Sequence, residues 1–393
     1  MMPLRRLVLA MSLCIWTGTE LYAQQFLEKD NGILHVKFDM TRGGAIGYIS
    51  TSGSTRNIVN IADEGRYIQQ SYYAGKSVDR RAEGQSASWS PWSWNPIQVG
   101  DFYRNRARIL ASSITGNTMY VKCTPMLWDM NNMPAEAEME QWTTLDSNML
   151  HTRNRLTCHR TDTLYGEGIL NDQELPAVYP ISALKKLYSY FGNVPFTNAP
   201  LNNPAVVNLS SGFWGRYQSN MVSENWMAFV DSTNWGMGVY TPICSNFLAG
   251  MAGSPGGEAT SGSTSYIAPI KKEALYKNSV YEYEYHVIIG SVTDIRSKVY
   301  AIHAALPSSV HRGFEKAASG HPIILGEKCL VVERRGIAAV LTVVNSAGSV
   351  VIQQKLTEGL NHISTKQFAG GVYYASLMSK GFVPAMQVLM ILP

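Results

Sequence analysis

Charge is scarce in this chain. Asp, Glu, Lys and Arg make up 16% of 393 residues, against roughly 25% in an average soluble domain. The formal net charge is +4, and no Lys/Arg run follows the N-terminus, so no nucleic-acid partner is expected. Long apolar runs are missing as well. The run Leu7 to Trp16 falls short of the ~20 residues that cross a bilayer, and no transmembrane span is expected. The five cysteines form no Cys-x-x-Cys pair and have no His cluster beside them, so neither a zinc site nor any other metal site is predicted. Also absent are a Gly-x-Ser-x-Gly elbow, a His-Glu-x-x-His helix, a phosphate-cradling Gly-rich loop and an EF-hand spacing. These absences argue against the commonest hydrolase, metalloprotease and nucleotide-binding chemistries, and no cofactor is expected.

The N-terminus has the three parts of a signal peptide. Arg5 and Arg6 are followed by the apolar run and then by Leu21-Tyr22-Ala23 before Gln24. Cleavage after residue 23 and a secreted or cell-surface location are expected. Cys14 leaves with that segment, and it lacks the small preceding residue of a lipoprotein site. An oxidising compartment allows one bridge among Cys123, Cys158, Cys244 and Cys329. Their long, unpatterned spacing favours small buried hydrophobes instead.

From Phe26 to about Val310 the texture is β: short alternating runs broken by Gly, Asn, Ser and Pro. Ile33–Phe38, Ala45–Ile49, Thr118–Cys123 and Met149–Cys158 read as strands, with a turn over Thr41–Gly44. The clearest strand is Val280–Ile289. There Tyr281, Tyr283, Tyr285, Val287 and Ile289 share one face, while Glu282, Glu284 and His286 share the other. Helical spacing predicts a helix over Pro180–Phe191 and another over Asp294–Leu306, capped by Thr293 or Asp294. The Gly/Ser-rich stretch Gly250–Ser265 reads as a mobile surface loop. The expectation is an all-β chain: a signal peptide over 1–23, a large sandwich over 24–312, a polar linker, and a small Ig-like β-sandwich over 323–393.

That last module carries Asn345 with Gly348 and Val351, then Gly359 with Asn361 and Ile363, then Gly371-Val372-Tyr373. In this order the motifs resemble the C-terminal sorting domain of the type IX secretion system of the Bacteroidetes, with Asn345 standing where the family has Asp. The resemblance implies a β-sandwich recognised by the type IX secretion machinery.

The candidate site residues lie in five polar clusters. Asp63 to Tyr73, continued as a strand, places Arg66, Ile68, Gln70 and Tyr72 on one face, a row suited to hydroxyl or carboxylate recognition. A solvated strand face with an ion pair suits it as well. Together with Gly43-Gly44-Ala45-Ile46 and Asn57-Ile58-Val59-Asn60, this stretch resembles the opening of galactose-mutarotase-like β-supersandwich domains. The resemblance implies carbohydrate chemistry: epimerases, polysaccharide lyases and glycoside hydrolases share that fold. Trp89 to Asp101 sets Trp89, Trp92 and Trp94 beside Asn95, Gln98 and Asp101. Indole faces stack on sugars while amide and carboxylate groups grip hydroxyls, although the same loop can plug the end of a sandwich. His151, Arg153 and Arg155 alternate onto one face, fit either to neutralise a uronate or to form surface salt bridges. Glu174, wedged beside Leu175-Pro176, suits a general acid. Glu224, with Asn225 and Trp226 at a strand entrance, is its expected base or nucleophile. Glu282 and Glu284 form a rival pair that reads as a solvated face.

The reading is a secreted carbohydrate-active enzyme that binds a poly- or oligosaccharide and hydrolyses glycosidic bonds with Glu174 and Glu224. Two alternatives stand beside it: a polysaccharide lyase using His151 or Tyr72 as base with Arg153, and a surface protein that binds glycan without turnover.

Overall fold

The structure is a computed structural model. It describes residues 25–218, 221–306, 323–325, 329–334, 339–345, 349–357, 359–365, 368, 371–379 and 385–391. The expected signal peptide, the polar linker and the 346–348 turn lie outside the described residues. The chain divides into two compact units, residues 1–300 and 301–393.

The first unit is built from two large antiparallel sheets. In the ten-stranded sheet the path runs Phe26–Asp30, Leu34–Asp39, Ala45–Thr51, Ile68–Ser71, Asn171–Val178, Thr264–Glu273, Asn246–Ala252 and Gly215–Tyr217. The eight-stranded sheet runs Lys186–Tyr188, Trp226–Val230, Trp235–Tyr240, Ser279–Ser291, Met149–Cys158, Ala137–Asp146, Thr118–Thr124 and Arg108–Thr115. One core joins them: Val36, Phe38, Ile68 and Leu175 from the first sheet pack with Met139, Leu150, Tyr285 and Val287 from the second. Alternation produces this arrangement. In Ser279–Ser291 the side chains of Tyr283, Tyr285, Val287 and Ile289 are buried, whereas Glu282 and Glu284 face water. His286 departs from the pattern and is buried, because it stacks on His151 at 4.6 Å between ring centroids.

Three expectations of local structure change. Pro180–Phe191 is not a helix. Pro180 bridges Val59, Ile181 bridges Thr264, and Lys186–Tyr188 pairs with Trp226–Val230. Its apolar residues Ile181, Leu184 and Leu187 are wholly buried, and a short apolar run carries no periodicity that separates buried strand from helix. Gly250–Ser265 is strand at its two ends, with Gly250 opposite Tyr266 and Ala252 opposite Thr264, and residues 253–263 between them form a loop. Gly250 serves close packing, since a Cβ there would sit 2.6 Å from the Val207 carbonyl oxygen. The helix Val292–Ala305 forms as expected, but Ser291 caps it. The Ser291 amide donates to Asp294 Oδ2 and the Asp294 amide donates to Ser291 Oγ, each at 3.1 Å. Cys123, Cys158 and Cys244 are buried and unbridged.

The second unit is a small sandwich of a three-stranded and a four-stranded sheet. Leu330 and Ile363 from one sheet share a core with Leu341, Val343, Leu356, Tyr373 and Ala375 from the other. Two of the motif residues have structural duties here. Asn345 Oδ1 accepts the Ser349 amide at 2.9 Å, and Asn361 Oδ1 accepts the Thr357 amide at 2.8 Å. The regular secondary structure among the described residues is thus strand apart from one helix and short 3-10 turns, and no helix among them is long and apolar enough to cross a membrane.

Candidate active site

The outer face of the ten-stranded sheet carries a cleft of about 340 Å³. Strand phase decides which residues reach it. Along Ile68 to Tyr73, Ile68 and Tyr72 turn into the core, and Gln70 donates to the Glu140 carbonyl of the opposite sheet at 3.0 Å. Gln69, Ser71 and Tyr73 therefore line the cleft. Asn171–Val178 repeats the pattern: Leu175 is in the core, and Asp172 and Glu174 face the cleft. Ala177, Leu248, Ile270, Tyr179 and Trp214 make an apolar floor and wall of the cleft, packed with Tyr266 and Ala268, which are fully buried and do not line it. The opposite wall is Trp89, Trp92 and Trp128, packed edge to face, with Trp89 at 5.0 Å from Trp92 and 5.6 Å from Trp128.

Glu174 is the half-buried carboxyl of this cleft. Its Oε1 accepts a short hydrogen bond from the Tyr266 hydroxyl and its Oε2 a longer one from Tyr73 at 3.4 Å. Withdrawal from water pushes the carboxyl above its ordinary value, opposed by the Tyr266 bond. Burial also holds the Tyr73 and Tyr266 phenols well above their ordinary value, so both serve as donors and neither as a base at neutral pH. At the cleft edge Asp172 pairs with the exposed Arg216 at 2.9 Å. Trp92 Nε1 donates to Asn95 Oδ1 at 3.1 Å, and Asn95 Nδ2 donates to the Tyr72 carbonyl at 2.7 Å, which fixes the indole wall to the sheet. No group of three or more His, Cys, Asp or Glu among the described residues is arranged to hold a metal ion.

Solved structures similar to this chain include galactose-mutarotase-like proteins. One is a putative aldose 1-epimerase of Escherichia coli K12, with 7% identity, 68% of this chain and 99% of that chain covered, and a TM-score of 0.43. Another is a galactose mutarotase related enzyme of Lactobacillus acidophilus, with 10% identity, 68% and 98% covered, and a TM-score of 0.39. A solved structure of a different kind, a heparan sulfate lyase of Pedobacter heparinus, is also similar, with 8% identity, 94% of this chain and 43% of that chain covered, and a TM-score of 0.31. No family model matches the chain, and no curated protein does.

Of the residues expected from the sequence, Glu174, Trp89, Trp92 and Asn95 line the cleft, and the others named do not. Glu224 is wholly buried in an ion pair with Arg296 at 2.8 Å. It also accepts from Tyr300, Trp226 Nε1 and the Phe196 amide. No lone pair is left for water or substrate, and Trp226 and Asn225 are buried with it. Gln70 and Tyr72 point inward, because a phase error of one residue exchanges the two faces of a strand. Arg66 lies over the Tyr179 ring at 5.4 Å and pairs with Asp63, behind the cleft wall. Trp94 is in the core, Gln98 bridges Gly43 and Gln141, and Asp101 is tied to its own loop. His151 and Arg153 stand on the outer face of the eight-stranded sheet, bonded to Glu284 at 3.0 Å and stacked on Trp142 at 4.1 Å. The sandwich lies between them and the cleft, so neither they nor Tyr72 can serve as expected in a lyase site there. Glu282 forms a cross-strand ion pair with Arg155, and Glu284 a cross-strand hydrogen bond with His151.

The residues not anticipated are Gln69, Ser71, Tyr73, Asp172, Tyr179, Trp214, Arg216 and Tyr266. A signal for three of them was present. Ile68 and Tyr72 are apolar and two positions apart from the equally in-phase Gln70, which assigns that side to the core and leaves 69, 71 and 73 outside. Tyr266 meets Glu174 through strand neighbours distant in sequence, Trp214 stands just before the strand Gly215–Tyr217, and no local pattern marks either.

Proposed function

We propose that the cleft binds a saccharide chain and hydrolyses a glycosidic bond, with Glu174 as general acid and Asp172, in place of Glu224, as its carboxylate partner. The observation that carries this reading is a half-buried carboxyl with a raised pKa, held by two phenols and facing indole walls. Aromatic faces take the apolar faces of sugar rings, and a carboxyl that holds its proton is suited to protonate a leaving oxygen. Asp172 and Glu174 are two apart on one strand, so at ~3.3 Å per residue their Cα atoms lie roughly 7 Å apart. Both side chains face the cleft from one side of the strand, and glycosidases act with a pair of carboxyls that flank the scissile bond. In the reaction Asp172 takes a proton from water, the water oxygen bonds to the anomeric carbon, and the leaving oxygen departs with the proton of Glu174. A lyase reading has less support: Tyr73 and Tyr266 are held protonated, and among the described residues no histidine lines the cleft.

The test is a reducing-end assay on neutral and uronate-containing oligosaccharides. Wild type should release reducing ends, and Glu174→Gln and Asp172→Asn should each lose about 10²–10⁴-fold in turnover with affinity kept. Products that absorb through a new C=C bond would establish a lyase. Binding without product would establish a glycan-binding protein.

The same reading puts the protein outside the cell, exported through an N-terminal signal and the C-terminal sandwich by the type IX machinery. Mass spectrometry of the mature protein should find Gln24 at its N-terminus.

A further inference from the structure

The aromatic wall does not stop at the cleft. From Trp89 the rings continue to Phe102 at 6.2 Å, which also meets Trp128 at 5.8 Å, and on to Tyr103 at 5.7 Å. Phe102 and Tyr103 are 43% and 42% exposed, although neither lines the cleft. Two neighbouring aromatic side chains left in water forgo burial that would ordinarily be favourable.

The loop that displays them is held firmly. Asp101 is wholly buried and accepts from the Asn105 amide, from Asn105 Nδ2 and from the Asn132 amide, each at 2.8 Å. The Phe102 amide donates to the Trp128 carbonyl at 2.8 Å, and the Tyr103 hydroxyl donates to the Gly84 carbonyl at 3.4 Å. Arg104 turns the chain with a positive φ of 72°. The backbone that carries the rings is thus held in place, and Phe102 packs edge to face against Trp89 and Trp128 of the cleft wall.

We propose that Phe102 and Tyr103 form an outer stacking subsite for a sugar unit beyond the cleft, so that the ligand is an oligosaccharide chain and not a single sugar. This rests on the reading of the cleft as a saccharide site and adds where the chain runs. A cavity of about 340 Å³ is at the small end of ligand pockets, which hold roughly 300–1,000 Å³. A single sugar filling it would leave Phe102 and Tyr103 untouched. A chain leaving past Trp89 meets them in sequence, each ring offering an apolar surface to a sugar while the hydroxyls at the sugar's rim stay in water. The phenol of Tyr103 adds an acceptor for such a hydroxyl.

The experiment is calorimetric titration of the full chain with gluco-, xylo-, manno- and galacturono-oligosaccharides of one to six units. It uses wild type, Trp92→Ala, Phe102→Ala and the double variant Phe102→Ser/Tyr103→Ser, with melting curves to confirm folding. In the series that binds, wild-type affinity should rise about ten-fold or more from the shortest ligand to the hexasaccharide. Phe102→Ala and the double variant should erase that rise and leave the shortest ligand unchanged, whereas Trp92→Ala should weaken every length. Phe102→Tyr, which keeps the ring, should retain the rise.

The inference is overturned, and the cleft reading survives, if binding depends on Trp92 but is indifferent to chain length or to Phe102. If no saccharide of any length binds wild type, the cleft reading fails and the outer subsite with it. A wild-type self-association in sedimentation that Phe102→Ala abolishes would assign the rings to a second copy of the chain and overturn the proposal.

Discussion

Replacing Glu224 with alanine should cost stability and spare the chemistry. The carboxylate takes two bonds from Arg296, at 2.8 Å and 3.2 Å, one from Tyr300 at 2.7 Å, one from Trp226 Nε1 at 3.0 Å and one from the Phe196 amide at 2.9 Å. Removing it strands a buried guanidinium, and breaking such a pair costs about 3–5 kcal/mol. For a unit of this size each kcal/mol moves the melting temperature by about 2–4 °C, so the melt should fall by about 6–20 °C. The double variant Glu224→Leu/Arg296→Met should recover only part of the loss. It removes the stranded charge, but the buried Trp226 Nε1 donor loses its acceptor, at about 1–3 kcal/mol. The pH dependence has a definite sign. Burial opposes ionisation of Glu224, yet the bonds from Arg296 and its neighbours outweigh it and hold the carboxyl below its ordinary value of 4.5. Its contribution is therefore complete above that value and is lost as pH falls through the depressed folded one. The measurements are circular-dichroism melts at several pH values, with turnover assayed well below both melts. An unchanged melt together with a hundred-fold fall in turnover would refute this account and return Glu224 to a catalytic role.

Three further outcomes follow from the same geometry. Glu174 has a raised folded pKa, so wild type loses stability relative to Glu174→Gln as pH rises from 4.5 through that value; urea titrations should find the variant more stable at pH 8 and equal at pH 4. Tyr266→Phe removes a bond that lowers the Glu174 pKa, so the alkaline limb of turnover should move to higher pH, and an unmoved limb would count against Glu174 as the acid. Asp101→Ala removes the bonds from Asn105 and Asn132 that hold the loop and should cost about 0.5–1.5 kcal/mol per bond in urea titration, with a larger loss of affinity for hexasaccharide than for the shortest ligand.

Much of the fold was legible because sheet burial writes itself as alternation. Met149–Cys158 was readable to its end residues, and Val280–Ile289 within two. The failures share one cause. Pro180–Phe191 has helical spacing, but its apolar residues are buried between sheet strands, where pairing with Trp226–Val230 satisfies the backbone. In the candidate site, residue chemistry identified Glu174 and the tryptophan-rich stretch. It could not separate Glu174 from Glu224, since each sits among apolar and aromatic neighbours in sequence.

By itself the sequence determined the class of the protein: scarce charge, period-two alternation and closely spaced turn residues leave little but antiparallel sheet to bury so much apolar surface. Which carboxyl meets a cleft was decided only by tertiary structure. Asp172, Glu174, Arg216 and Tyr266 come together through strand neighbours up to about a hundred residues apart. Arg296, brought by the helix, occupies Glu224 completely. The physical reason is that local pattern sets which side of a strand is apolar, while the partner across the sheet sets whether a polar side chain is satisfied by protein or left for a ligand.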